Sequence, residues 1–383
     1  MRTRSLAGRD REDEGLNQGR EAIAPGKSQA PQRAPLMALA GISLLAGLWA
    51  GLIRLDWPLP LLASTVPPSH GPIMVTGFLG TLIGLERAVA VKRAWAYGAP
   101  LFAGAGGIAV LVGLPPHAGH LLMAAGSVFL IAIFVVLYRQ HPAVYLATMG
   151  VGALFWLVGT MLWHDGFPLY RVVPWWIGFL VVTIAGERLE LSRLLRLSAW
   201  SRAGSLLANG AVLLGLVVGL FAPEHGIRLS GIGLVALALW LSRYDLAWRM
   251  LRQRGLPRYM ALSLCSGYVW LAVGGLLWLA FADRFVAGPY YDAMLHAVFL
   301  GFVFSMIFGH APIIFPSILG IAMPFRKAFH AHLALLHLSL LLRVGGDLAA
   351  WPLAASWGGL GNALAVILFL ANTVLAVRAG REE

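Results

Sequence analysis

The sequence has a single cysteine, Cys265, so it can form neither an internal disulfide nor a cysteine metal cluster. Charge is also scarce: Asp, Glu, Lys and Arg make up 12% of the 383 residues, and only 17 of these are acidic. Soluble domains carry about 25% charged residues. A chain with half that proportion cannot cover a soluble surface, which excludes a soluble enzyme of this size. The sequence has no Walker-type glycine loop, no Gly-x-Ser-x-Gly elbow and no zincin motif. The polar start also lacks the short apolar core and small-residue cleavage site of a signal peptide.

What the sequence does have is apolar length. Hydrophobic residues make up 59% of the chain and the mean hydropathy is +0.76. They fall into blocks of about twenty residues, the length of helix that crosses about 30 Å of hydrocarbon. Twelve such blocks are predicted, the first over 36–53, the second over 70–91, the sixth over 171–190, the tenth over 291–310 and the last over 357–377. The expected fold is an all-α polytopic membrane protein in which residues 36–377 form one transmembrane domain. Residues 1–35 are expected to be a disordered cytoplasmic tail and residues 378–383 a short cytoplasmic C-terminal tail.

The net charge of +12 serves topology rather than nucleic acid. With both termini in the cytoplasm, 24 Lys and Arg fall inside and five fall outside (Arg54, Arg171, Arg228, Arg284 and Arg343). Such a split is a strong positive-inside signal and agrees with an even number of spans. The lipid bilayer is the expected principal partner.

A weak internal repeat recurs at every fourth span. The second span contains Gly77-Phe78-Leu79 with Glu86-Arg87 nine residues after the glycine, and the sixth contains Gly178-Phe179-Leu180 with Glu187-Arg188 at the same spacing. The tenth span has Gly301-Phe302, with Ile307 in register and His310 at the glutamate position. The pattern predicts a pseudo-threefold arrangement of four-helix groups.

Ionisable side chains are costly in lipid and usually face the bundle interior. His70 lies seven residues before Gly77, and His296 lies five before Gly301. With the repeat glycines level, the two imidazoles differ by two residues, about 3 Å of helical rise. Two histidines at one depth on facing helices suit axial ligation of a haem iron. Alternatively, each imidazole hydrogen-bonds a carbonyl at a helix end. Arg343, near the end of the eleventh span, needs an anion, either a haem propionate or Asp347 at i+4. Glu86, Arg87, Glu187, Arg188 and His310 are expected to form one polar cluster near the inner face, through interfacial ion pairing or as a proton or metal site. His337 is the deepest of three histidines in the eleventh span and a second-tier metal ligand; a hydrogen-bonded core histidine is the alternative. His117, His120, His164, His225 and His141 are expected to be mostly solvated. Trp175-Trp176 and Tyr290-Tyr291 are expected to be interfacial belt anchors. The run His310-Ala-Pro-Ile-Ile-Phe-Pro is expected to break the tenth span sharply at Pro312 and Pro316.

Three short runs carry a family resemblance. His70-Gly-Pro-Ile-Met-Val-Thr-Gly77-Phe78 resembles the span-two region of the NnrS family, His296-Ala-Val-Phe-Leu-Gly301 its span-ten motif, and Leu340-Leu341-Leu342-Arg343-Val344 its Leu-Leu-Arg-Val. The recurrence at spans two, six and ten is also similar, more distantly, to the catalytic subunit of haem–copper oxidases. The NnrS resemblance implies a twelve-span bacterial inner-membrane protein that binds haem and copper and is linked to nitric oxide and nitrosative stress. Pro72 stands where that family has a second histidine, and spans six and seven carry none of an oxidase's copper ligands. The resemblance therefore implies a single b-type haem on His70 and His296 rather than copper. The expected role is nitric oxide handling or membrane electron transfer, with nitric oxide or a redox protein as partner. A secondary transporter and a membrane assembly or scaffold protein are the alternatives.

Overall fold

The structure, a computed structural model, describes residues 30–61, 64–192 and 197–382. The expected tail up to residue 29, and Arg193 and Arg196 of the charge count, lie outside them. The described residues contain no strand. Twelve helices are long and apolar enough to cross a membrane: α1 (Arg33–Arg54), α2 (Pro67–Val91), α3 (Ala94–Leu111), α4 (Pro116–Gln140), α5 (Val144–His164), α6 (Leu169–Leu191), α7 (Ala199–Phe221), α8 (Pro223–Tyr244), α9 (Leu256–Ala280), α10 (Pro289–Leu319), α11 (Phe329–Leu348) and α12 (Pro352–Gly380). The protein is an all-α polytopic membrane protein, and an even number of spans puts both described chain ends at one face. That face holds most of the arginines. Outward-pointing side chains such as Leu207 (74% exposed) and Leu338 (66%) are apolar, as a lipid-facing surface requires.

Both expected tails are partly helical. The first helix already begins at Ala30. Arg33 anchors it, donating to the Ile318 carbonyl (2.7 Å) and to Tyr97 Oη (3.1 Å). At the other end the last helix runs on to Glu382.

The central helix is α6, whose residues from Val172 to Gly186 are all buried. A helix apolar on every side belongs inside a bundle. Trp175 and Trp176 are therefore core residues rather than belt anchors: Trp176 is fully buried and its indole N–H points at Thr160 Oγ1 (3.4 Å) on α5. Around α6, α2 and α10 complete a central trio. Phe78 of α2 meets Phe304 of α10 with ring centroids 6.0 Å apart. At the arginine-rich face, α2 is joined to α6 by the Arg87–Glu187 ion pair and α6 to α10 by the Arg188–His310 hydrogen bond.

Two members of the trio share a departure from α-helical geometry. α2 is π-helical over Ile73–Gly80 and α10 over Ala297–Phe304. With Gly77 aligned on Gly301, the two segments coincide residue for residue. A widened turn leaves carbonyls without their usual partners, and a hydroxyl four residues on supplies one. Thr81 Oγ1 donates to the Gly77 carbonyl and Ser305 Oγ to the Gly301 carbonyl, each at 2.6 Å. At the matching position α6 has Val182, and α6 is α-helical throughout. The repeat glycine also allows close helix contact, since a Cβ on Gly77 would lie 3.1 Å from Gly107 Cα on α3.

The expected break in α10 does not occur. The helix continues through Pro312 and Pro316 and ends at Gly320, which takes the left-handed conformation (φ +63). Proline at 312 deprives the Phe308 carbonyl of its donor, and Tyr259 Oη of α9 replaces it at 3.1 Å. Neighbouring helices make proline tolerable in a membrane helix in this way.

Thr81→Val and Ser305→Ala each remove a donor from a widened turn. Each is expected to lower stability by about 1 kcal/mol, while the α6 substitution Val182→Thr gains nothing. Unfolding of the detergent-solubilised protein checks this.

Candidate functional site

The site is built where α2 and α10 enter the bundle at the arginine-poor face. His70 and His296 stand just before the two π-helical segments. Widened turns of this kind are frequent at functional sites. The structure brings the two imidazoles together, with ring centroids 6.3 Å apart and planes inclined by 30°.

The hydrogen bonds set the tautomers. His70 Nδ1 lies 2.8 Å from the Gly47 carbonyl of α1. His296 Nδ1 lies 2.9 Å from the Asp292 carbonyl and 3.1 Å from Asp292 Oδ1. A carbonyl only accepts, so both rings carry their proton on Nδ1 and leave a lone pair on Nε2. The carbonyl bonds expected of a bland histidine are thus present, and they are also the bonds that orient a ligating one. His70 further depends on Gly51 of α1, where a Cβ would approach the imidazole Cε1 to 2.9 Å.

Arg343 of α11 reaches the same place, but its anion is Asp292, not Asp347. Its Nε donates to Asp292 Oδ2 (2.7 Å) and its Nη2 to Oδ1 (2.9 Å). Asp292 points into the bundle one turn before His296, whereas the buried Asp347 Oδ2 finds no partner. One carboxylate therefore holds both the arginine fork and a candidate ligand. Sequence reasoning missed Asp292, although its position four residues before His296 on one helix face was a usable signal.

Two cavities meet at the histidines. One is apolar, with Leu48, Met74, Leu79, Phe299 and Phe304 among the residues lining it beside the two imidazoles. The other leads to the arginine-poor face and gathers charged groups, with Arg54, Asp56, Asp292, Arg343 and Asp347 among its largely apolar walls.

The remaining predicted residues are placed elsewhere. His337 does not line either cavity. Trp270 Nε1 donates to its Nδ1 (3.1 Å), so Nε2 carries the proton and is buried without a partner. An Nε2–H tautomer offers no free lone pair, and the half-buried ring matches the hydrogen-bonded alternative rather than a ligand. Among the described residues, no three His, Cys, Asp or Glu side chains surround a common point.

The polar cluster at the arginine-rich face does assemble. Arg87 contacts Glu86 (3.4 Å) and Glu187, and Arg188 Nη2 donates to His310 Nε2 (2.8 Å). Because arginine only donates, the proton of His310 is on Nδ1, which donates to the Met306 carbonyl (2.6 Å). The basic residue of each repeat thus reaches the acid-position residue of the next, Arg87 to Glu187 and Arg188 to His310. The third link fails because Ala311 occupies the arginine position in α10. Asp245, which the sequence reading did not single out, stands 4.0 Å from Arg188 Nη1.

Among the histidines expected to be solvated, His117, His141 and His225 are exposed, but His120 is only 8% exposed. Its ring stacks on Trp163 with centroids 3.7 Å apart, burying it between α4 and α5.

The Arg343–Asp292 pair supports the site from behind. Asp292→Asn leaves a buried guanidinium without its anion and is expected to cost about 3 kcal/mol. Asp347→Asn is expected to change stability by less than about 1 kcal/mol. Parallel unfolding curves of the two variants separate these outcomes.

None of the curated proteins compared with the chain matches it. A family model described as a domain of unknown function (DUF8744) matches residues 33–378, and on that match the chain belongs to this family.

Proposed function

We propose that the protein is a haem-binding membrane protein in which His70 and His296 would hold a single b-type haem. The observation that carries the reading is the spacing of the two rings. Nitrogen–metal bonds of about 2 Å, with each ring centre about 1.1 Å behind its nitrogen, put two end-on imidazoles roughly 6.3 Å apart. The centroids are 6.3 Å apart. Both rings carry an Nε2 lone pair, and each Nδ1–H is held by a carbonyl, as in other metal-ligating histidines.

The surroundings fit an amphipathic macrocycle. The cavity beside the imidazoles is lined by apolar side chains, as the ring would need, and the second cavity gathers charged groups, Arg343 and Arg54 among them, as propionates would need. Arg343 Nη1 makes no hydrogen bond to Asp292, so it is the donor left for an anion. When bound, the haem supplies one-electron chemistry. The protein's part is to hold two neutral imidazoles, exclude water from the apolar side and offset negative charge at the polar side. Asp292, accepting from His296 Nδ1, fixes the orientation of that ring. A role in nitric oxide handling or electron transfer is what the resemblance to NnrS adds. The recurrence at every fourth helix favours this reading over a transporter, which would repeat in six-span halves around a midplane site.

Protein purified after haem-replete expression is expected to show a Soret band. His70→Ala and His296→Ala each abolish or markedly shift it, and His141→Ala leaves it unchanged. Arg343→Ala weakens haem retention less than either ligand change. A protein without haem, or histidine variants with the wild-type spectrum, would overturn the proposal.

The arginine-rich face is proposed to be cytoplasmic in a bacterial inner membrane, on the positive-inside asymmetry. Reporter fusions are expected to place both termini inside. A reporter active on the outside when fused to the C-terminus would refute this orientation.

A further inference from the structure

At the arginine-poor face, away from both cavities, three histidines gather at the ends of two antiparallel helices. His117 and His120 lie on the first turns of α4, and His164 is the last residue of α5. His117 Nδ1 and His164 Nδ1 face each other at 3.5 Å. Two imidazole nitrogens bound to one tetrahedral ion at about 2.0–2.1 Å stand roughly 3.3 Å apart. The His120 and His164 rings are perpendicular, with centroids 6.0 Å apart. His120 Nδ1 is buried and has no hydrogen-bond partner, an unmet polar atom beside the pair. The His120 ring lies tilted over Trp163, with centroids 3.7 Å apart. His117 is exposed, so the group opens to solvent.

We propose that His117, His120 and His164 form a surface site for a divalent transition metal of the zinc or copper class. His117 and His164 supply the preformed pair; the three rings do not surround a common point in the structure, and rotation of His120 away from Trp163 supplies the third ligand. Neutral imidazoles select this class of ion over the oxygen-seeking alkaline earths. Water occupies the fourth position of such a three-ligand site. A histidine–histidine hydrogen bond alone would also set 3.5 Å between nitrogens, but it leaves His120 Nδ1 unsatisfied.

Full-length protein without an affinity tag, in detergent, is titrated with Zn²⁺ by calorimetry and with Cu²⁺ by electron paramagnetic resonance. One equivalent of Zn²⁺ is expected to bind, and the copper spectrum to show nitrogen ligands. His117→Ala, at an exposed position where folding is not at stake, and His164→Ala are each expected to weaken Zn²⁺ binding at least about tenfold. His120→Ala is expected to do the same, and His225→Ala, an exposed histidine at the same face, to change nothing. Equal Zn²⁺ uptake by wild type and the triple alanine variant would overturn the proposal. An unaffected His120→Ala variant would overturn the three-ligand site. The Soret band is independent of these substitutions, so failure here and failure of the haem reading are distinguishable.

Discussion

A carbonyl that loses its helical partner inside a membrane must be given another donor, because lipid offers none. The architecture around the site depends on this constraint. The widened turns of α2 and α10 are possible because Thr81 and Ser305 donate to the Gly77 and Gly301 carbonyls. The proline-bearing part of α10 stays helical because a chain of donors runs from Asn372 through His332 to Tyr259 and ends on the Phe308 carbonyl. His70 is aimed because its Nδ1 donates to the Gly47 carbonyl.

The same economy governs charge. Buried ions are costly unless paired, and breaking a pair costs more than the pair contributes. At the arginine-rich face the pairs follow the repeat, each arginine reaching into the next unit. At the opposite face a single carboxylate, Asp292, is shared by Arg343 and His296. The trio α2, α6 and α10 is therefore tied at one end by ion pairs and at the other by the groups around the two histidines. Only α2 and α10 bring a histidine and a widened turn to that second end, whereas α6 brings Val173 as cavity wall. A central trio of helices thus carries a two-sided site.

Much of the fold was legible in the sequence, since apolar length and arginine placement depend on composition that any reader can count. Twelve spans, the charge asymmetry and the recurrence at every fourth helix needed no structure. The level of His70 and His296 followed from aligning two glycines. The fate of α10 did not follow, because proline's missing N–H says only that a donor is lost. Whether Tyr259, some 50 positions earlier in the chain, would replace it is a tertiary matter. Trp175 and Trp176 were misplaced for a similar reason: a tryptophan near a span end suits an interface equally well until packing shows the helix enclosed on every side.

The sequence by itself determined the solvent of this protein, the number of its spans and which faces of its helices carry ionisable groups, because these are sums over local composition and periodicity. Tertiary structure decided the partners. It chose Asp292 over Asp347 for Arg343, buried His120 while leaving His117 exposed, and put His337 on Trp270 away from both cavities. Each of these choices turns on distances of a few ångströms between helices remote in sequence. A one-dimensional pattern carries no such distances, because the rotation of each helix about its axis is set by packing against all its neighbours at once.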